Sequence, residues 1–196
     1  YSIIPDQIEA GTYMIAAAAT HGDLVCHNVI PKHLEPLTSK MEEMGIFTEY
    51  GDDWVRVWTD DGHPFNATTF KTMFYPGFPT DLQPQTVVLL TQANGVSRMF
   101  ENVWENRFQY VDDLKLMGAD ITVADRVAII NGPSNLTGAT LRGRDLRAGA
   151  ALAIAALTAS GESEVLNAEV IDRGYENFVE KLSSLGADIR KVGDED

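Results

Sequence analysis

The chain says nearly the same thing three times. The first copy contains "PDQIEAGTYMIAAAATHGDLVCHNVIPKHLEPLTSKMEEMGIFTEY". The second contains "PTDLQPQTVVLLTQANGVSRMFENVWENRFQYVDDLKLMGADITV", and the third "GRDLRAGAALAIAALTASGESEVLNAEVIDRGYENFVEKLSSLGADIRKV". Each copy holds an apolar helical run, a Gly turn, a short strand, an amphipathic helix, then a glycine and another strand. Gly45, Gly118 and Gly186 close the second helices as C′ residues. A polar residue marks the end of each short strand, at Asn28, Asn102 and Glu169. Copies one and two return in hairpins, "FTEYGDDWVRVWT" and "ITVADRVAIING"; copy three stops at "IRKVGDED". The repeat is therefore βαβαββ-like, with boundaries near 1–67, 68–135 and 136–196, and the third copy lacks its last strand.

The two helices of a copy differ in kind. "IEAGTYMIAAAAT" and "LRAGAALAIAALTA" are apolar nearly all round, the mark of a helix buried on every side. "KHLEPLTSKMEEMG", "VDDLKLMG" and "YENFVEKLSSLG" keep a polar face. Three buried helices among three half-exposed ones place helices in the middle and sheets outside, an inside-out α/β barrel. No linker-like stretch interrupts the copies, so residues 1–196 read as one domain. "YSII" is the spare apolar strand-like segment, expected in the sheet at Tyr1–Ile4, with a strand at Asp188–Val192 having at most one partner.

One loop stands out, "FYPGFPTDLQPQ" at residues 74–85. Pro76, Pro79 and Pro84 stiffen it just before one carboxylate, Asp81. Locally, Thr80 or Asp81 can cap the helix that follows, with Gln83 completing a capping box. Pro84 fits the first turn.

Composition bounds the partners. Fifteen basic against 29 acidic residues give a net charge of −14. That argues against nonspecific binding to nucleic acid or an anionic membrane. A few arginines in a cleft could still hold a small anion. Cys26, the single cysteine, sits in apolar "DLVCHNV" and reads as a buried thiol. No His/Cys/Asp cluster has metal-ligand spacing, and no apolar run is long enough for a membrane helix. The first residue is Tyr, so a piece of something longer is expected.

"IPDQIEAGTYMIAAAAT", "YPGFPTDLQPQ", "ENVWENRF", "DLRAGAAL" and "IDRGYENFVEKLSSLGA" together resemble the enolpyruvyl transferase family, in the branch that uses UDP-N-acetylglucosamine. The resemblance covers the whole chain. It implies two similar inside-out barrels per enzyme, of which this chain matches the C-terminal one, with a missing N-terminal domain of the same enzyme as partner. The Lys-Asn pair and the mobile proton-handling loop that the resemblance assigns to that domain are absent here, and Cys26 does not match the loop cysteine. Implied too are the substrates phosphoenolpyruvate and UDP-N-acetylglucosamine, release of phosphate, no cofactor or metal, and a bacterial cytoplasmic setting in peptidoglycan synthesis.

By the same resemblance Asp81 binds the acceptor's 3-hydroxyl and acts as base. Arg147 and Arg173 meet phosphoenolpyruvate, Arg173 catalytically. Arg107 is a cleft residue, Asp145 lies near the reacting centre, and Val103 and Trp104 line the nucleotide-sugar site. The bland alternatives stay open: caps for Asp81 and Asp145, surface ion pairs for the arginines, core packing for Trp104. The family commonly has Arg at Gln7 and Ser at Gly149, the second a change in helix propensity alone. Two other functions compete, the sister branch acting on shikimate 3-phosphate and a non-catalytic binding or assembly module.

Overall fold

The computed structural model describes residues 2–193. The first copy gives α1 (Gln7–Ala19), β1 (Asp23–His27), α2 (Pro31–Glu43), β2 (Phe47–Tyr50) and β3 (Trp54–Trp58). These strands form an antiparallel sheet in the order β1-β3-β2. The second gives β4 (Phe65–Asn66), β5 (Thr69–Lys71), a 3-10 turn (Thr80–Leu82), α3 (Gln83–Leu90), β6 (Ala93–Phe100), α4 (Val111–Leu116), β7 (Asp120–Ala124) and β8 (Val127–Gly132). Its sheet runs β4-β6-β8-β7, with β5 also on β6. The third gives β9 (Thr140–Arg142), α5 (Leu146–Thr158), β10 (Glu164–Leu166), a 3-10 turn (Ala168–Arg173) and α6 (Phe178–Ser184). β9 and β10 pair in parallel.

The helices apolar all round do gather in the middle: α1, α3 and α5 pack on one another. All eight residues of α3 are buried. Small residues permit the approach. A Cβ on Gly11 of α1 would lie 2.7 Å from Leu82 Cδ1. Polar side chains stitch the same layer. Tyr175, fully buried, shares its hydroxyl with Thr12 of α1 at 2.8 Å and accepts from Gln85 Nε2 of α3 at 3.1 Å. The architecture is an inside-out α/β half-barrel of three related units.

The predicted C′ glycines hold, with φ of +86°, +102° and +102° at Gly45, Gly118 and Gly186. Both hairpins form. The polar marker of the third copy is Asn167 rather than Glu169: Asn28 and Asn167 follow their strands in the left-handed conformation that Asn tolerates. The expected chain ends need correction. Ser2–Ile4 is not in a sheet, and Ile3 is 89% exposed; Tyr1 lies outside the described residues. Asp188–Val192 forms no strand. A strand needs a partner ladder, and β10 offers only three residues already paired with β9. Ile189 instead packs against the smaller core cluster, and Lys191 pairs with Asp172 at 2.9 Å.

Candidate active site

Asp81 does not cap α3. The cap position is taken by Leu82, and no side chain bonds the first amides. Stronger partners draw the acid away. Asp81 Oδ1 accepts from Arg107 Nη2 at 2.9 Å, and Oδ2 from Arg147 Nη2 at 3.5 Å. Hydrogen bonds between charged groups are about twice as strong as neutral ones. Thr80 is engaged as well: its hydroxyl accepts from Arg107 Nη1 at 2.8 Å and faces Glu101 at 2.9 Å. Gln83, the expected third member of a capping box, donates to Glu101 and to the Arg107 carbonyl. Pro84 occupies the first turn, as its missing N–H requires.

Three stretches therefore meet here. The stiff 74–85 loop brings Asp81, the segment between β6 and α4 brings Arg107, and the start of α5 brings Arg147. Asp145 is the N-cap of α5, accepting from Arg147 N and Ala148 N at 2.9 Å each. It also lines the cleft, so capping α5 does not take it away from the cleft. The cleft, of about 340 Å³, is walled by Asp81, Trp104, Glu105, Asn106, Arg107, Gln109, Tyr110, Arg144, Asp145 and Ala148. Trp104 is 59% exposed and is not a core residue. Val103 takes part through its backbone N–H, which donates to Glu101 at 3.1 Å.

Electrostatically the site is a cluster of opposed charges. The Arg107 and Arg147 side chains are only 18% and 14% exposed, while Asp81 is 42% exposed and so reachable from solvent. Arg147 lies over the Tyr175 ring, 5.2 Å from its centroid, and its buried Nη1 makes no hydrogen bond among the described residues. A buried donor without a partner is costly unless something arrives to accept from it. Tyr110, fully enclosed, donates to Gln83 Oε1. Burial, and then the Glu101 charge, hold its phenol well above the usual value, so it serves as a donor.

Arg173 is not brought into the cleft lining. It ends the 3-10 turn 168–173, exposed and without an ion pair among the described residues. Its neighbour Gly174 abuts Arg147, since a Cβ there would lie 3.4 Å from Nη1. Sequence reasoning missed Arg144, which lines the cleft and pairs with Asp113 at 3.6 Å. Its place directly before the Asp145 cap was the available signal. Also missed were Glu101 and Tyr175, whose importance lies in buried polar contacts that no spacing announces. No group of three or more His, Cys, Asp or Glu among the described residues could hold a metal ion.

Comparison with known proteins places the chain in a family. Residues 1–182 match the family model described as EPSP synthase (3-phosphoshikimate 1-carboxyvinyltransferase). The UDP-N-acetylglucosamine 1-carboxyvinyltransferase of Halothermothrix orenii is 55% identical over 98% of this chain and 46% of its own length. That of Desulfofundulus thermocisternus is 52% identical over 96% of this chain and 77% of its own. Among solved structures, the enolpyruvyl transferase NikO from Streptomyces tendae superposes with a TM-score of 0.88 at 32% identity, over 97% of this chain and 45% of that one. EPSP synthase from Acinetobacter baumannii, at 20% identity, shares the fold with a TM-score of 0.76, over 97% of this chain and 48% of its own. The chain thus spans about half the length of most of these relatives. It belongs to the EPSP synthase family of enolpyruvyl transferases and, within it, groups with the UDP-N-acetylglucosamine 1-carboxyvinyltransferases.

Proposed function

We propose that this chain supplies one wall of an enzyme that transfers the enolpyruvyl group of phosphoenolpyruvate to the 3-hydroxyl of UDP-N-acetylglucosamine with release of phosphate, the opening of peptidoglycan synthesis. The observation that carries the reading is the reachable Asp81 carboxylate gripped by Arg107 and Arg147 at the cleft. The relatives' printed names supply the substrate class.

The chemistry follows from the residue types. The acceptor hydroxyl adds to C2 of phosphoenolpyruvate while a proton goes to C3. The tetrahedral adduct then loses phosphate together with a proton from C3, which restores the double bond on the acceptor oxygen's new enolpyruvyl group. Asp81 takes the hydroxyl proton, which requires a carboxylate within hydrogen-bond reach. Arg147 and Arg173 receive the carboxylate and phosphate of phosphoenolpyruvate, for which guanidinium forks are suited. An anionic substrate competes with Asp81 for the same N–H donors. Its arrival thus loosens the ion pairs that occupy the Asp81 carboxylate. Asp145 orients the start of α5, Trp104 forms the apolar side of the sugar-nucleotide site, and Val103 contributes backbone contact there. The partner is the remaining portion of the same enzyme, which supplies the proton for C3.

The test is Asp81→Asn in the complete enzyme. The amide keeps the shape and removes the base, so turnover falls by about 10²-fold or more, while the melting temperature stays nearly constant. Near-normal turnover would show the loop to be only a turn. A parallel assay offering shikimate 3-phosphate as acceptor separates the sister activity; turnover with it in place of UDP-N-acetylglucosamine would reassign the substrate.

A further inference from the structure

Glu101, the residue after β6, is a buried carboxylate, only 1% exposed. Its partners are all uncharged. Oε1 accepts from Thr72 Oγ1 at 3.0 Å, from Val103 N at 3.1 Å and from Trp104 N at 3.0 Å. The Thr80 hydroxyl lies 2.9 and 3.0 Å from its two oxygens, and Gln83 Nε2 donates to Oε2 at 3.3 Å. A buried carboxylate survives only when hydrogen bonds replace its water, and this one has gathered five donor groups. Those donors sit on different pieces of the cleft: the stiff loop (Thr80, Gln83), the Trp104 loop (Val103, Trp104) and the end of β5 (Thr72).

The polarity of the connection is one-way. Arginine only donates and an ionised carboxylate only accepts, so the Thr80 hydroxyl between them has one arrangement. It gives its proton to Glu101 and accepts from Arg107 Nη1 at 2.8 Å. The other arm of Arg107 then meets Asp81 Oδ1 at 2.9 Å. We propose that Glu101 is a positioning residue for the reaction. Its charge fixes the Thr80 rotor, and through Thr80 it sets Arg107 and Asp81 relative to the Trp104 wall. The inference rests on the reading of Asp81 given above.

The test uses Glu101→Gln, Asp81→Asn and the double variant in the complete enzyme, assayed far below their melting temperatures. Glutamine keeps the shape but turns one acceptor into a donor facing Thr80 or Gln83. A misplaced catalytic group costs on the order of tenfold to a hundredfold in kcat. Glu101→Gln should lose that much. It should lose almost nothing further in the Asp81→Asn background, because both changes act through one carboxylate. Additive losses would overturn the proposal, since Glu101 would then act independently of Asp81. Normal kcat in Glu101→Gln alone would also overturn it, leaving the role of Asp81 intact. Normal turnover in Asp81→Asn would instead defeat the underlying reading, and the inference with it. Should Glu101→Gln not fold, Thr80→Ser and Thr80→Val carry the same question. Serine keeps the relay and should retain turnover, while valine breaks it and should lose about tenfold or more; equal kcat in the two would sink the proposal.

Discussion

A carboxylate between two guanidinium groups has its geometry set by their forks, and this governs what substitutions at Arg147 do. Arg147→Lys keeps the charge but loses the planar pair of donors and the face that covers Tyr175. In the complete enzyme kcat/KM for phosphoenolpyruvate should fall by about tenfold to a hundredfold, the worth of one hydrogen bond to a charged group at roughly 1.5–3 kcal/mol. Unchanged kcat/KM would show that Arg147 serves only as a point charge. Cys26 behaves oppositely, as an inert group. Burial, and then the Glu9 charge, push its thiol up to about 11. The folded chain holds that proton more tightly than the unfolded chain does. Stability linked to Cys26 is therefore lost only as pH rises from the ordinary thiol range toward 11. Cys26 is half-buried rather than fully buried, packed against the main core; at pH 7.5 iodoacetamide should still label native protein more slowly than protein in denaturant, and equal rates would show that this packing does not shield the thiol. At this scale the sequence was legible where a residue sits in a patterned motif. Asp81, Arg107, Arg147 and Asp145 were singled out by their likeness to family motifs, and the structure places them around one cleft, with Arg147 reaching Asp81. The true partners of Asp81 were not readable from its own loop, because Arg107 and Arg147 lie 26 and 66 residues away in the chain. A local capping box was the better guess until those long-range charges appeared.

Elements were more legible than contacts, because helices and hairpins follow local period and turn chemistry. The three buried helices, the glycines closing the second helices and both hairpins came from that source. The end strands did not form because pairing is a non-local property and apolar or alternating residues alone cannot supply a ladder. Gly149 shows the same limit. Propensity alone makes a side chain there favourable in a helix, by about 1 kcal/mol from Gly to Ala. The packing reverses this, since a Cβ at Gly149 would lie 2.9 Å from Ile171 Cγ1, which is not the loose end of a side chain. Overpacking costs about 1–3 kcal/mol, so Gly149→Ala should lower the midpoint of urea unfolding. A raised midpoint would mean that the 168–173 turn yields more easily than its packing suggests. The hydroxyl of Tyr175 offers a second probe of the helix layer. Tyr175→Phe removes the shared partner of Thr12 and Gln85 while leaving the ring in place. Stability should drop by about 0.5–1.5 kcal/mol, the usual net value of such a bond. A neutral result would show that Thr12 and Gln85, which meet each other at 3.1 Å, satisfy themselves.

For the whole molecule the question is how so acidic a chain could hold the anionic substrates proposed for it. Its net charge of −14 repels them at long range. Attraction comes at close quarters, from Arg107, Arg147 and Arg144, each already opposed by a carboxylate of the same chain, and from Arg173, which stands outside the cleft lining. Displacing those carboxylates requires a site that excludes water, because charge–charge interactions strengthen as the dielectric falls. The cleft here is not such a site by itself. Asp81 is 42% exposed, Trp104 stands 59% exposed at the rim, and the loop leading to Asp81 shows Met73, Phe74 and Tyr75 at 57%, 80% and 66%. That apolar surface is what a second wall would cover. The chain also spans only 45–48% of most of the relatives whose lengths frame it. The 196-residue chain, shown to be folded by a cooperative thermal melt, should therefore release no phosphate from phosphoenolpyruvate and UDP-N-acetylglucosamine under conditions where a complete enzyme turns over readily. Both substrates should also bind it more weakly by orders of magnitude, measured by calorimetry, because three half-neutralised arginines in water cannot replace their hydration. Detectable phosphate release by the isolated chain would show that one wall is enough for the chemistry, and would shift the origin of the C3 proton to a residue of this chain.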